Sequence, residues 1–132
     1  MSFRTVTPDI SVSPQISLAD VAQAAKEGFQ LIVNNRPDDE EGGQPTSAQI
    51  EVAAKAAGLT YVHIPVRGMP TRDQVEKTAA AVEAVDGPAL LFCRSGTRSI
   101  ITWSLGAAQN GADAADLKAT AAAAGYDLSN IL

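Results

Sequence analysis

The sequence predicts an α/β fold of three layers, in which a mainly parallel sheet of four to five strands lies between helices. Two observations support this prediction. Short apolar runs without clean alternation, typical of strands covered on both faces, alternate with amphipathic stretches of helical periodicity. Each amphipathic stretch precedes a glycine, the residue favoured where a helix ends in a left-handed conformation. The 132 residues are enough for one domain, predicted over residues 1–132.

The elements follow from these patterns in chain order. Strands are predicted at residues 10–12, 29–33, 61–66 and 89–92. Helices are predicted to begin after the capping residues Ser17, Thr46 and Thr71, and to occupy residues 100–109 and 112–124. The glycines expected to end helices in a left-handed conformation are Gly28, Gly58, Gly87, Gly111 and Gly125.

Charge and composition narrow the class of partner. The net charge is −5 and no run of Lys or Arg occurs, which argues against a nucleic acid or a membrane surface and favours a small anionic substrate. One cysteine and one histidine without ligand spacing predict no metal site, and no other cofactor is expected. No secretory signal or membrane span is recognisable, so a cytoplasmic protein is expected. No protein partner can be named from the sequence.

The segment CRSGTRS, residues 93–99, is the most informative part of the chain and is called here the cysteine loop. It joins a predicted buried strand to a predicted helix, so backbone N–H groups and the positive helix end converge on one point. The same field would stabilise a thiolate, which makes Cys93 a candidate nucleophile, and Arg98 a candidate bidentate ligand for a tetrahedral anion. The other residues expected to bind substrate are Arg94, Ser95, Gly96, Thr97 and Ser99.

Each assignment in the loop has a simpler alternative. Cysteines are often small buried hydrophobes, but two arginines beside Cys93 are unusual neighbours for a core residue. Arg94 points either into the site or into solvent, and Ser99 either bonds the thiolate or caps the helix.

A second polar stretch, NNRPDDEE at residues 34–41, follows a predicted strand and should emerge at the same sheet edge. Arg36 is a candidate substrate ligand and Asp38 a candidate proton donor, while Glu40 and Glu41 are expected to be solvated. His63 lies inside a predicted strand, where a hydrogen-bonded structural role is favoured.

Three motifs, CRSGTRS, NNRPDDEE and GLTYVHIPV at residues 58–66, resemble the bacterial family of beta-lactamase hydrolase-like phosphatase-like domains, which also carries a sulfurtransferase label. This resemblance covers almost the whole chain. It implies a fold similar to the cysteine-dependent tyrosine and dual-specificity phosphatases. In those enzymes a thiolate attacks phosphorus and forms a phosphocysteine that water hydrolyses.

The chain departs from the phosphatase pattern in three respects. Four residues separate Cys93 from Arg98 where the signature has five, and Phe92 replaces the histidine before the cysteine. The segment expected to carry the acid offers only Asp73. A six-residue cysteine loop is also what rhodaneses use to carry a persulfide. Sulfur transfer through Cys93, or anion binding without turnover, are therefore the alternatives to phosphatase chemistry.

Overall fold

Five strands form one sheet in a computed structural model that describes residues 3–132. The strands are β1 (Arg4–Thr7), β2 (Ile10–Ser13), β3 (Leu31–Asn34), β4 (Thr60–His63) and β5 (Ala89–Phe92). Their order is β1-β2-β5-β3-β4, and only β1 runs antiparallel to its neighbour. The predicted α/β class and mainly parallel sheet are confirmed. The edge strand β1, whose residues are only partly buried, was not predicted.

Five helices cover the two faces of the sheet: α1 (Leu18–Lys26), α2 (Ser47–Ala56), α3 (Arg72–Glu83), α4 (Thr97–Gln109) and α5 (Ala114–Ala123). The first three begin after the predicted capping residues Ser17, Thr46 and Thr71, and each of these residues forms a capping box. The C-terminal boundary of α3 differs from the prediction, because the helix ends at Glu83 and Gly87 has no left-handed φ. A side chain at Gly87 would instead overlap Gln30.

Alternate residues of the central strands supply the two halves of the core. Leu31, Val33 and Leu91 belong to the cluster that includes Ile100 of α4 and Ala121 of α5. Ile32, Leu90 and Phe92 belong to the cluster that includes Val21 of α1 and Ile50 of α2. This alternation places a helical layer on each face, so β5 in the centre is fully buried. Within residues 3–132, no helix combines the length and apolar character needed to cross a membrane.

Candidate active site

The cysteine loop begins where the most central strand ends. β2, β5 and β3 are parallel neighbours, so their carboxyl ends meet at one sheet edge. Backbone bonds join the three ends: Asn35 N donates to Phe92 O at 2.8 Å, and Gln15 N donates to Arg94 O at 3.2 Å. This edge is where ligands bind in open parallel sheets. The two polar stretches singled out in the sequence therefore lie side by side.

The Cys93 sulfur accepts a hydrogen bond from Gly96 N–H at 3.1 Å. Helix α4 starts immediately afterwards, and its N-cap, Gly96, has no side chain to cap it. Thr97 N–H donates to Ser95 Oγ at a long 3.4 Å, and the next N–H groups of the turn, those of Arg98 and Ser99, can bind an anion. Cys93 has no exposed surface, so a substrate reaches the sulfur only after neighbouring side chains move.

Tyr126, which follows α5, packs against the cysteine loop. Its hydroxyl donates to Ser95 O at 2.9 Å, and burial raises the pKa of Tyr126, so the phenol keeps the proton that it donates. Gly96 has φ +94° and its missing side chain makes room for the Tyr126 ring. The loop conformation thus depends on a residue that is distant in the sequence.

Gly96→Ala should destabilise the protein by about 1–3 kcal/mol more than Gly111→Ala, because a methyl group at Gly96 overlaps the Tyr126 hydroxyl. Gly111 is the matched control, since its φ is +99° and a side chain there meets open space. Urea unfolding of both variants measures the difference. Equal losses of stability would show that the contact between Tyr126 and Gly96 does not constrain the loop.

Arg98 extends from the first turn of α4 to Glu40. Its Nη1 and Nη2 donate to the two carboxylate oxygens of Glu40 at 2.7 and 2.8 Å, and Nη1 also donates to Val66 O at 2.8 Å. These bonds use three of the five guanidinium N–H groups. The remaining two, Nε–H and one Nη2–H, share one edge of the group and form no hydrogen bond within residues 3–132. That edge can take two oxygens of a tetrahedral anion.

Arg98 also interacts with Cys93. The hydrogen bond from Arg98 to Glu40 raises the pKa of Arg98, burial opposes it, and the interaction with Cys93 raises it further. The guanidinium therefore stays charged next to the sulfur, where it can stabilise a thiolate.

Glu40 is a site residue that sequence reasoning missed. It was expected to face solvent, but its side chain is 22% exposed and also accepts from Arg36 Nε at 2.9 Å. The hydrogen bond from Arg98 is the main reason that the pKa of Glu40 falls from 4.5 to about 2. The only signal in the sequence was the spacing of four residues between Arg36 and Glu40.

The lowered pKa of Glu40 predicts how stability depends on pH. The unfolded carboxylate binds its proton near pH 4.5 and the folded one near pH 2, so the pair contributes stability above pH 4.5 that is lost as the pH falls to 2. Glu40→Gln should remove this part of the acid dependence. Urea unfolding between pH 2 and pH 7 tests it, with Glu51→Gln as the control for an exposed carboxylate paired with Lys55. The same acid dependence in wild type and Glu40→Gln would contradict the assignment.

The remaining predicted residues of the cysteine loop have the following contacts. Arg94 is 65% exposed and lies 3.5 Å from Glu41, and Ser95 Oγ donates to Thr97 Oγ1 at 3.1 Å. Ser99 is buried and donates to Asn35 Oδ1 at 2.9 Å rather than to the sulfur. Asn35 in turn donates to Ile64 O at 3.0 Å, so it links the start of α4 to the segment that follows β4.

The candidate acids lie in different surroundings. Asp38 Oδ1 accepts from Ser47 N at 2.8 Å, at the first residue of α2, and Oδ2 forms no hydrogen bond within residues 3–132. Asp73 pairs with Lys77 at 3.0 Å and is 71% exposed, in the first turn of α3.

His63 is half-buried and donates Nε2–H to Arg36 O at 2.7 Å, the structural role that its position in the sequence favoured. It anchors the backbone of the β3–α2 loop.

Residues 2–112 match the family described as "Beta-lactamase hydrolase-like protein, phosphatase-like domain". The chain belongs to this family. A beta-lactamase hydrolase-like protein of Agrobacterium fabrum is 38% identical over 104 residues, which is 77% of this chain and 24% of the relative. The chain thus spans about a quarter of the length of that relative.

Solved structures agree with the family assignment and with the fold. A "putative phosphatase" of Neisseria meningitidis superposes with a TM-score of 0.87 at 34% identity, covering 98% of this chain and 93% of that one. TpbA of P. aeruginosa, solved as a Cys-to-Ser variant with phosphotyrosine, gives a TM-score of 0.69 at 16% identity, covering 98% of this chain and 78% of that one. The fold is that of the tyrosine and dual-specificity phosphatases, and the chain is a phosphatase-like domain.

Proposed function

We propose that this domain hydrolyses phosphate monoesters through a phosphocysteine at Cys93. The observation that carries the proposal is the sulfur at the uncapped start of α4, hydrogen-bonded to Gly96 N–H, with the open edge of the Arg98 guanidinium beside it. This arrangement offers a nucleophile and donors for the equatorial phosphate oxygens in one place. The phosphatase-like relatives and neighbours support the same chemistry.

The proposed reaction has two steps. The Cys93 thiolate forms a bond to phosphorus while the bond from phosphorus to the ester oxygen breaks, and that oxygen takes a proton. Water then attacks phosphorus, the bond from sulfur to phosphorus breaks, and inorganic phosphate leaves. In both steps the backbone N–H groups of the cysteine loop that are not bonded to the sulfur, together with the guanidinium of Arg98, bind the phosphoryl oxygens. TpbA was solved with phosphotyrosine, so an aryl phosphate is the appropriate first substrate.

Glu40 has a positioning role in this proposal. It holds the outer edge of the Arg98 guanidinium, while Val66 O holds Nη1 from the other side. Because the pKa of Glu40 is about 2, its carboxyl is ionised near neutral pH and has no proton to donate to a leaving group.

Asp38 is the proposed proton donor, through Oδ2. Asp38→Asn should slow hydrolysis of an alkyl phosphate by roughly 10²-fold or more, because general acid catalysis matters most for a poor leaving group. p-Nitrophenyl phosphate, whose leaving group needs little protonation, should be affected far less. The Asn side chain can still accept the hydrogen bond from Ser47 N, so the start of α2 is preserved. Asp73→Asn is the control. Equal rates for wild type, Asp38→Asn and Asp73→Asn on both the alkyl phosphate and p-nitrophenyl phosphate would show that neither aspartate is the acid.

Sulfur transfer is a second candidate because Cys93 and Arg98 are one residue closer than in the phosphatase signature. In that reaction Cys93 would take the outer sulfur of thiosulfate and release sulfite. Steady-state release of phosphate from p-nitrophenyl phosphate, compared with release of sulfite from thiosulfate with cyanide as the sulfur acceptor, distinguishes the two reactions. Phosphate release that depends on Cys93 supports the proposed function, and sulfite release alone contradicts it.

A further inference from the structure

The guanidinium of Arg36 carries a buried donor without an acceptor. Its side chain is 2% exposed, Nε donates to Glu40 at 2.9 Å, and Nη1 donates to Gln15 Oε1 at 3.0 Å. Nη2 has no hydrogen-bond partner within residues 3–132. Leaving a buried charged N–H unpaired is costly, so this nitrogen marks a place where an acceptor is missing.

Glu41 lies beside this nitrogen but does not satisfy it. Its Oε1 is 3.9 Å from Arg36 Nη2, and its Oε2 is 3.5 Å from Arg94 Nη2. Both distances exceed those of ordinary hydrogen bonds, whereas Glu40 meets its arginines at 2.7 to 2.9 Å. The Glu41 side chain is 56% exposed and can therefore move into solvent. The Glu41 carboxylate is therefore held only weakly between Arg36 and Arg94.

Gln15 joins the two arginines to each other beside the nucleophile. The Gln15 side chain accepts from Arg36 Nη1, and its backbone N–H donates to Arg94 O at 3.2 Å. Arg94 follows Cys93 directly in the chain. The space between Arg36 and Arg94 therefore adjoins the proposed phosphate site.

We propose that Arg36 Nη2 and Arg94 form a second anion subsite, which binds a carboxylate carried by the phosphate ester and displaces Glu41 from it. The inference rests on the proposed function and narrows its substrate class to phosphate esters with a carboxylate near the phosphate. The group already between the arginines is a carboxylate, which identifies the chemistry that fits. When Glu41 moves away, the substrate carboxylate takes its place between the two positive charges.

Binding to the Cys93→Ser variant tests the subsite without turnover. Calorimetry compares phenyl phosphate with ortho-, meta- and para-carboxyphenyl phosphate. At least one carboxylated isomer should bind roughly tenfold more tightly, the size expected for one charge-assisted hydrogen bond. Adding Arg94→Ala should remove most of this preference, and adding Glu41→Gln should increase it. A pair of phosphotyrosine tripeptides with Asp or Asn before the phosphotyrosine shows whether a peptide can supply the carboxylate.

Lys55→Ala is the matched control for Arg94→Ala. Lys55 is 67% exposed and pairs with Glu51, as Arg94 pairs with Glu41. It lies near the end of α2, just before β4 begins, and therefore far from the carboxyl ends of the strands. It should leave the preference unchanged. Equal affinity for all four aryl phosphates, or a preference that survives Arg94→Ala, would overturn the subsite alone. Failure of phenyl phosphate itself to bind would overturn the proposed function as well.

Discussion

Cys93→Ser is expected to lower kcat for p-nitrophenyl phosphate by roughly 10⁵-fold or more, the scale seen when a nucleophile is removed. A serine hydroxyl remains protonated near neutral pH and is a far weaker nucleophile than a thiolate. The substitution hardly changes the side-chain volume, and the new hydroxyl would occupy the place of a sulfur that accepts a hydrogen bond from Gly96 N–H. The fold should therefore be preserved.

Initial rates of phosphate release, with circular dichroism and urea unfolding of both proteins, measure this effect. Ser99→Ala is a useful comparison, because the Ser99 hydroxyl donates to Asn35 and not to the sulfur. It should lower stability with a smaller effect on kcat. Turnover by Cys93→Ser at the wild-type rate would show that Cys93 is not the nucleophile.

Arg98→Lys should reduce kcat/KM by roughly 10²- to 10³-fold, even though the charge is unchanged. An ammonium group cannot hold both oxygens of Glu40 and Val66 O while presenting a second planar edge to phosphate. The loss should appear in kcat as well as in KM, because the donors act most strongly on the transition state.

Arg72→Lys is the control for the chemical change. Arg72 is 86% exposed and pairs with Glu76 in the same helix, so its replacement should leave kcat/KM within about twofold. Stability measurements on Arg98→Lys separate a general loss of folding from loss of the anion-binding edge. Wild-type kcat/KM in a folded Arg98→Lys protein would show that the planar group has no role in the reaction.

The local parts of the fold and the site could be predicted from the sequence. Ser17, Thr46 and Thr71 are capping residues within a few positions of the helices that they start, and the cysteine loop combines strand, glycine and helix in one short segment. Such signals depend on near neighbours in the chain. They are therefore visible without the structure.

The contacts that complete the site join distant parts of the chain. Glu40 and Arg98 are 58 residues apart, and Tyr126 reaches the cysteine loop from 31 residues away. A run of four acidic residues looks like a solvated loop until the sheet brings Arg98 to it. The spacing of four residues relates Arg36 to Glu40, but nothing in the sequence shows that Arg98 binds the same carboxylate.

The central claim is that Cys93 becomes covalently phosphorylated, and its most direct test is the mass of the protein during turnover. Wild-type protein mixed with p-nitrophenyl phosphate, quenched in acid and digested should yield the Cys93 peptide heavier by one phosphoryl group. The account predicts that this adduct forms within the first turnover and is missing from Cys93→Ser. Steady phosphate release with an unmodified Cys93 peptide at every quench time, or an adduct on a different residue, would contradict it.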